Sequence, residues 1–192
     1  MSLLKGPFVF VDIETNGLSP VWGRVIEVAA IRVEAGEIVG SVNTLVDSGT
    51  ELPQFITNLT GITSSQVHAA PTFAQVAEEL YDLIDGSVFV AHNVRFDYSF
   101  LKQEFRRTGK DFLPRQLCTV KLSRALYPEH RGHKLQDLID RHGFAYQSRH
   151  RAYDDAYILW QFMQLVQQQF PSDVVEQVVS KQISKPVLPS GH

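Results

Sequence analysis

The run Phe8-Val9-Phe10-Val11-Asp12-Ile13-Glu14 is apolar at both odd and even positions until its end. Side chains alternate sides along a strand, so a run with no polar face predicts a strand covered on both sides in the middle of a sheet. Such a strand needs layers of structure above and below it. With 192 residues, 44% of them hydrophobic, the chain is long enough for one well-cored α/β domain plus a tail and too short for two comfortable ones. The same alternation puts Asp12 and Glu14 on one side, with Phe8 and Phe10 beneath them.

The remaining pattern fills in that domain. Val25 to Val33 and Glu37 to Val46 read as strands separated by the turn Glu34-Ala35-Gly36, which makes an antiparallel meander with the first strand. Pro53 to Leu59 reads as a short helix ending near Gly61. Thr72 to Ile84 has helical spacing in Phe73, Val76, Leu80 and Leu83-Ile84 with Thr72 as N-cap, and leads into the strand Ser87 to Ala91. A helix crossing over to a parallel strand follows from that order. The next helix carries Asp97 in its first turns and turns Phe96, Phe100, Leu101 and Phe105 inward. A short strand at Gln116 to Cys118, a helix beginning near Thr119, another from Lys134 to a Gly143 cap, and a long helix from Ala152 to Phe170 complete the domain, taken as residues 7–170. Pro171 stops the last helix. Residues 171–192 read as a C-terminal extension or linker, in which Val174, Val175, Val178 and Val179 are periodic and the Pro- and Ser-containing end is not.

Four carboxylates and one histidine lie in three short motifs: Asp12 and Glu14, then Asp97 in His92-Asn93-Val94-Arg95-Phe96-Asp97, then His150 and Asp155 in His150-Arg151-Ala152-Tyr153-Asp154-Asp155. Two carboxylates 5 Å apart repel by about 3 kcal/mol at an effective dielectric of about 20, so a converging set needs a neutralising partner. A divalent cation meets that need. Taken singly, the motifs have plainer readings: Asn16-Gly17 as a hairpin turn, Asn93 as a helix cap, and Asp97 beside the positive end of its helix.

The third motif carries more geometry. Five residues of continuous helix turn through about 500°, leaving two side chains about 140° apart. His150 and Asp155 therefore meet only if the helix starts between them. The stripe Ala152, Ala156, Leu159, Met163, Val166, Phe170 marks the buried face, with Asp155 on its edge and Asp154 on the solvated side. A carboxylate beside the core is costly without a partner, which favours Asp155 as the ligand.

In order and spacing the three motifs resemble those of the DEDDh 3′→5′ exonuclease family (DnaQ-like), relatives of the proofreading subunit of bacterial DNA polymerase III. The likeness runs from about residue 7 to 170 and includes Leu59-Thr60-Gly61-Ile62-Thr63 and Leu135-Gln136-Asp137-Leu138. It implies a ribonuclease H-like fold with a mixed five-stranded sheet flanked by helices. It further implies Asp12, Glu14, Asp97 and Asp155 as ligands of two Mg²⁺ or Mn²⁺ ions, and His150 as general base. An imidazole pKa near 6.5 suits that proton transfer close to neutral pH. By the same resemblance Thr15 to Leu18, Asn93 and Phe96 surround the terminal nucleotide, though Phe96 reads equally well as core.

Charge agrees with a polyanionic partner. Net charge is −3, yet residues 95–151 hold 13 basic against 6 acidic side chains, a plausible landing surface even though each one singly reads as a solvated helix position. The expected partner is the 3′ end of single-stranded DNA, with a DNA polymerase or a fused C-terminal module beside it. A single cysteine, Cys118, excludes an internal disulfide and fits a reducing cytoplasm. No leader pattern and no run of about 18 apolar residues is seen, so a soluble protein with no membrane span is expected. His130 and His133 lack a ligand partner at metal-site spacing and read as surface loop positions.

Two other readings fit parts of the chain. A glycosidase could use Asp12 and Glu14 or Asp97 as its carboxylate pair, but would need no metal and leaves the third motif unexplained. A nucleic-acid-binding or scaffold module on the same fold predicts loss of a ligand, and all four are present.

Overall fold

The computed structural model describes residues 6–148 and 150–183. Its centre is a five-stranded mixed sheet in the order β3-β2-β1-β4-β5. β1 (Phe8–Thr15), β2 (Val25–Glu34) and β3 (Glu37–Leu45) form the antiparallel meander, while β4 (Val88–Ala91) and β5 (Arg115–Cys118) add in parallel. β1 is the middle strand, as its apolar run requires. Its alternate residues feed two cores: Phe8 and Phe10 enter one, while Val9, Val11 and Ile13 enter the other.

Helices cover both faces. α3 (Phe73–Ile84) and α4 (Arg95–Arg107) pack on the Val9 face, where Phe73, Leu80, Phe100 and Phe105 are buried. α5 (Thr119–Leu126), α6 (Leu135–His142) and α7 (Ala152–Gln169) pack on the Phe10 face, with Trp160 of α7 at 5.5 Å from the Phe10 ring. α6 ends at Gly143, whose φ of 67° is the left-handed cap anticipated from sequence. Two short helices, α1 (Gln54–Thr60) and α2 (Ser64–His68), close over Ile26 through Ile56, Ile62 and Val67. Sequence periodicity does not reveal α2, since one capped turn carries a single apolar anchor; the capping box Thr63/Gln66 is its signature.

The expected extension differs from a linker at its start. Ser172–Gln182 form α8, and Val175 and Val179 are buried among α5 and α7 residues. Burial of a valine is worth about 1.5 to 3 kcal/mol, enough to hold a short helix against the domain. The last part of that extension, 184–192, lies outside the described residues. His133 also differs: it is 9% exposed, and its ring nitrogens pair with the Ser123 hydroxyl and the His130 carbonyl at 2.8 and 2.9 Å. It braces the α5–α6 connection rather than a surface loop. No helix among the described residues is long and apolar enough to cross a membrane.

Candidate active site

The site forms at the C-terminal end of β1. Asp12 and Glu14 are half-buried on the α7 side of the sheet, and the pairing of β1 with β2 slips between Glu14 and Thr15. Such an irregularity bends the strand and re-aims the side chains beyond it. β4 pairs with β1 only from Phe8 to Phe10, leaving the end of β1 to be met by the start of α4.

α7 begins between His150 and Asp155, as convergence of the two side chains requires. Arg151 is its N-cap, and His150 stands before it with a φ of 58°, a left-handed conformation unusual for a residue with a Cβ. Asp155 is 5% exposed. Ligand atoms of Glu14, His150 and Asp155 all lie within 4.8 Å of one another, so a strand, a loop and a helix converge on one point. Asp12 and Asp97 stand outside that cluster among the described residues.

Asp97 reaches the same strand end from the other face. It is 3% exposed in the first turn of α4, and burial pushes its carboxyl up to about 8 from an ordinary 3.8. Backbone hydrogen bonds from Asp97 itself and from Ile13, the residue between Asp12 and Glu14, act in the opposite direction. A buried carboxyl of this kind takes up a proton or a cation. Carboxylate oxygens with one imidazole form a donor set that fits a hard divalent ion.

The residues expected around the nucleotide are placed unevenly. Leu18 is 87% exposed at the rim, and Asn93 is exposed with a φ of 65° just before α4. Phe96 is half-buried against Phe100, with ring centroids 5.0 Å apart, so one side of it belongs to the core. Thr15 is buried and its hydroxyl donates to the Gly17 carbonyl at 2.7 Å, which shapes the loop instead of facing outward. The Asn16 side chain accepts from the Arg24 backbone N–H at 2.7 Å and so closes a longer loop, where a tight hairpin was the plainer expectation.

Two pairings that sequence reasoning missed hold this arrangement. Glu27, 2% exposed and directly opposite Glu14 across the β1–β2 pair, accepts from Arg151 Nε and Nη2 and from the Ala152 backbone N–H at 2.8 to 3.2 Å. It fixes the start of α7, and the guanidinium is held charged beside it. Glu104 of α4, 1% exposed, accepts from Arg24 at 2.8 and 3.1 Å and from the Val25 N–H at 3.2 Å. For Glu27 the signal was a lone acid among apolar neighbours, whereas Glu104 stands in a charged helix and gives no local sign. Asp154 also has work: its carboxylate accepts from the Ser148 N–H at 2.7 Å, tethering the segment that leads to His150.

Known proteins resemble this chain in sequence and in fold. The family profile described as Exonuclease (RNase T type) matches residues 9–163. The chain is 39% identical over 155 residues to the 3′-5′ exonuclease DinG of Bacillus subtilis (strain 168), covering 79% of this chain and 16% of that protein. It is 39% identical over 150 residues to the PolC-type DNA polymerase III of Clostridium perfringens (strain 13 / Type A), covering 78% of this chain and 10% of the relative. The chain thus spans a small part of these relatives' length. Among solved structures, E. coli exonuclease I in complex with a dA16 oligonucleotide superposes with a TM-score of 0.80 at 21% identity, over 90% of this chain and 43% of that one. At that identity the likeness shows the fold.

Proposed function

The chain belongs to the exonuclease family whose profile spans residues 9–163, and from that premise we propose that it removes nucleoside monophosphates from the 3′ end of single-stranded DNA by metal-dependent hydrolysis. The observation that carries this is the meeting of Glu14, His150 and Asp155 within 4.8 Å, with the buried Asp97 carboxyl at the same strand end. Polarity and a DNA substrate draw their support from the relatives, which are named as a 3′-5′ exonuclease and as a DNA polymerase.

Asp12, Glu14, Asp97 and Asp155 are the proposed ligands. Two Mg²⁺ or Mn²⁺ ions held by them supply positive charge to the attacking and leaving oxygens of a phosphodiester. His150 takes the proton from the attacking water, and its place on a loop pinned by Arg151 and Asp154 keeps the imidazole aimed at the cluster. Leu18, Asn93, Phe96 and the loop shaped by Thr15 confine the terminal nucleotide, so that nucleotide must leave any duplex before cleavage. The proposed exonuclease unit is residues 7–170, with 171–192 as an extension that opens with the packed helix α8. A DNA polymerase in the cytoplasm is the proposed setting, supported by the PolC-type relative.

The test is a digestion ladder of 5′-labelled single-stranded DNA and RNA with Mg²⁺, Mn²⁺ or a chelator. Stepwise shortening from the 3′ end of DNA, abolished by the chelator, is expected. Nicking of closed circular DNA at the rate of end digestion, or activity in the chelator, would overturn the proposal.

A further inference from the structure

The outer face of α4 carries three basic residues in one line. Arg95, Lys102 and Arg106 are seven and four positions apart, which on a helix keeps them within about 20° of a common direction over about 16 Å. All three are exposed, and none forms an ion pair among the described residues. Both carboxylates of this helix are turned inward: Asp97 is buried at the strand end, and Glu104 is buried and occupied by Arg24 and Arg107. The stripe's charge is therefore not cancelled on its own helix.

This line borders a groove of about 570 Å³ that also takes in Pro20, Gln103 and Gln116, with no carboxylate among its lining residues. Pro20 brings the loop between β1 and β2 to the edge of this groove. Arg107 Nη2 donates to the Pro20 and Val21 carbonyls at 3.4 and 3.2 Å. Gly23 lies so close to Phe100 that an added Cβ would sit 3.0 Å from its ring. Held against α4 in this way, the loop presents Trp22 with 86% of its surface exposed. A large indole left in water two positions from Pro20, which lines a cationic groove, is a surface made for something with flat apolar faces and negative charge.

We propose that the single strand leading to the active site lies along this groove, its phosphates on Arg95, Lys102 and Arg106 and one of its bases stacked on Trp22. The proposal rests on the exonuclease reading for its direction: Arg95 is two residues from Asp97, so the stripe leads away from the reacting end. At about 3.4 Å per stacked nucleotide, 16 Å accommodates about five nucleotides. Contacts of this type bind without regard to sequence, because every nucleotide offers a phosphate and a π-face.

The experiment measures binding of a 5′-fluorescein oligothymidylate of about 12 nucleotides by anisotropy, in chelator, over a series of NaCl concentrations. Against wild type, Lys102→Ala/Arg106→Ala is expected to flatten the plot of log affinity against log salt by about 1.4, about 0.7 for each lost phosphate contact. Trp22→Ala is expected to weaken binding about tenfold with the slope unchanged. Hydrolysis of the p-nitrophenyl ester of thymidine 5′-phosphate in Mg²⁺, a substrate too short to reach the groove, is expected to keep its wild-type kcat/KM in the double variant. An unchanged salt slope, no binding by wild type at low salt, or an equal loss on the short ester would overturn the groove. Salt-dependent binding that responds to these variants, without digestion of the strand in Mg²⁺, would overturn the exonuclease reading and leave the groove standing.

Discussion

Glu27 holds Arg151 by a forked pair of hydrogen bonds at 2.8 to 3.2 Å across 124 residues of sequence, and the same carboxylate caps the Ala152 N–H. The start of α7 is thereby tied to the strand beside the one that bears Asp12 and Glu14. Glu27→Ala is expected to destabilise the protein by about 2 to 3 kcal/mol, below the roughly 3 to 5 kcal/mol for breaking a fully buried pair, because Arg151 is partly exposed. Displacement of His150 and Asp155 should lower kcat by about 10²-fold. Thermal melts and steady-state kinetics check both, and a wild-type kcat would show that the clamp does not position the site.

Asp97 makes a prediction about pH in the chelated protein. Its native pKa of about 8 lies above the ordinary 3.8, so between those values the native state keeps a proton that the unfolded chain has lost. Its contribution to stability is therefore full below about pH 4 and is lost as pH rises through 8. Asp97→Asn should melt higher than wild type at pH 8 in chelator, and the two should converge near pH 4. Parallel slopes of Tm against pH would contradict this. With Mg²⁺ present the wild type should bind more tightly as pH rises, since the ion displaces that proton.

His150 separates chemistry from strain. His150→Ala and His150→Gly should both lower kcat by about 10²- to 10⁴-fold and remove the acidic limb of the pH profile, with metal binding largely kept. At a φ of 58° a glycine is relaxed where alanine is not, so the Gly variant should be about 1 kcal/mol more stable than the Ala variant. Denaturant melts of the pair decide it; equal stability would mean the loop relaxes when the imidazole is gone.

Asp154 and Asp155 are adjacent and should behave differently. Asp155→Asn is expected to nearly abolish turnover at saturating Mg²⁺. Asp154→Asn keeps an acceptor for the Ser148 N–H and should stay close to wild type, while Asp154→Ala loses it and should cost about 0.5 to 1.5 kcal/mol. Equal losses of kcat in Asp154→Asn and Asp155→Asn would show that Asp155 has no special place in the site.

The sheet, the helix that starts between His150 and Asp155, and the family were all legible because they rest on local periodicity and short motifs. β1 declares itself by having no polar face, and Gly143 by standing where an apolar stripe stops. What escaped depends on distant partners. Nothing local distinguishes Glu27 from the solvated Glu34 on the same strand, although an acid amid Val25-Ile26 and Val28-Ala29 is out of keeping with its neighbours. Helical angle alone puts Asp154 on the solvated side and cannot foresee a loop folding back onto it. Ligand spacing says nothing of His133, whose role comes from the Ser123 hydroxyl that α5 brings to it.

Arg24, just before β2, and Glu27, three positions further on within it, reach opposite faces of the sheet, one gripping α4 and the other α7. In a random mutagenesis screen, inactive yet soluble variants should therefore cluster in this stretch of β2 as well as at the acidic residues. A disabled enzyme can carry its lesion in a strand that bears none of the proposed ligands.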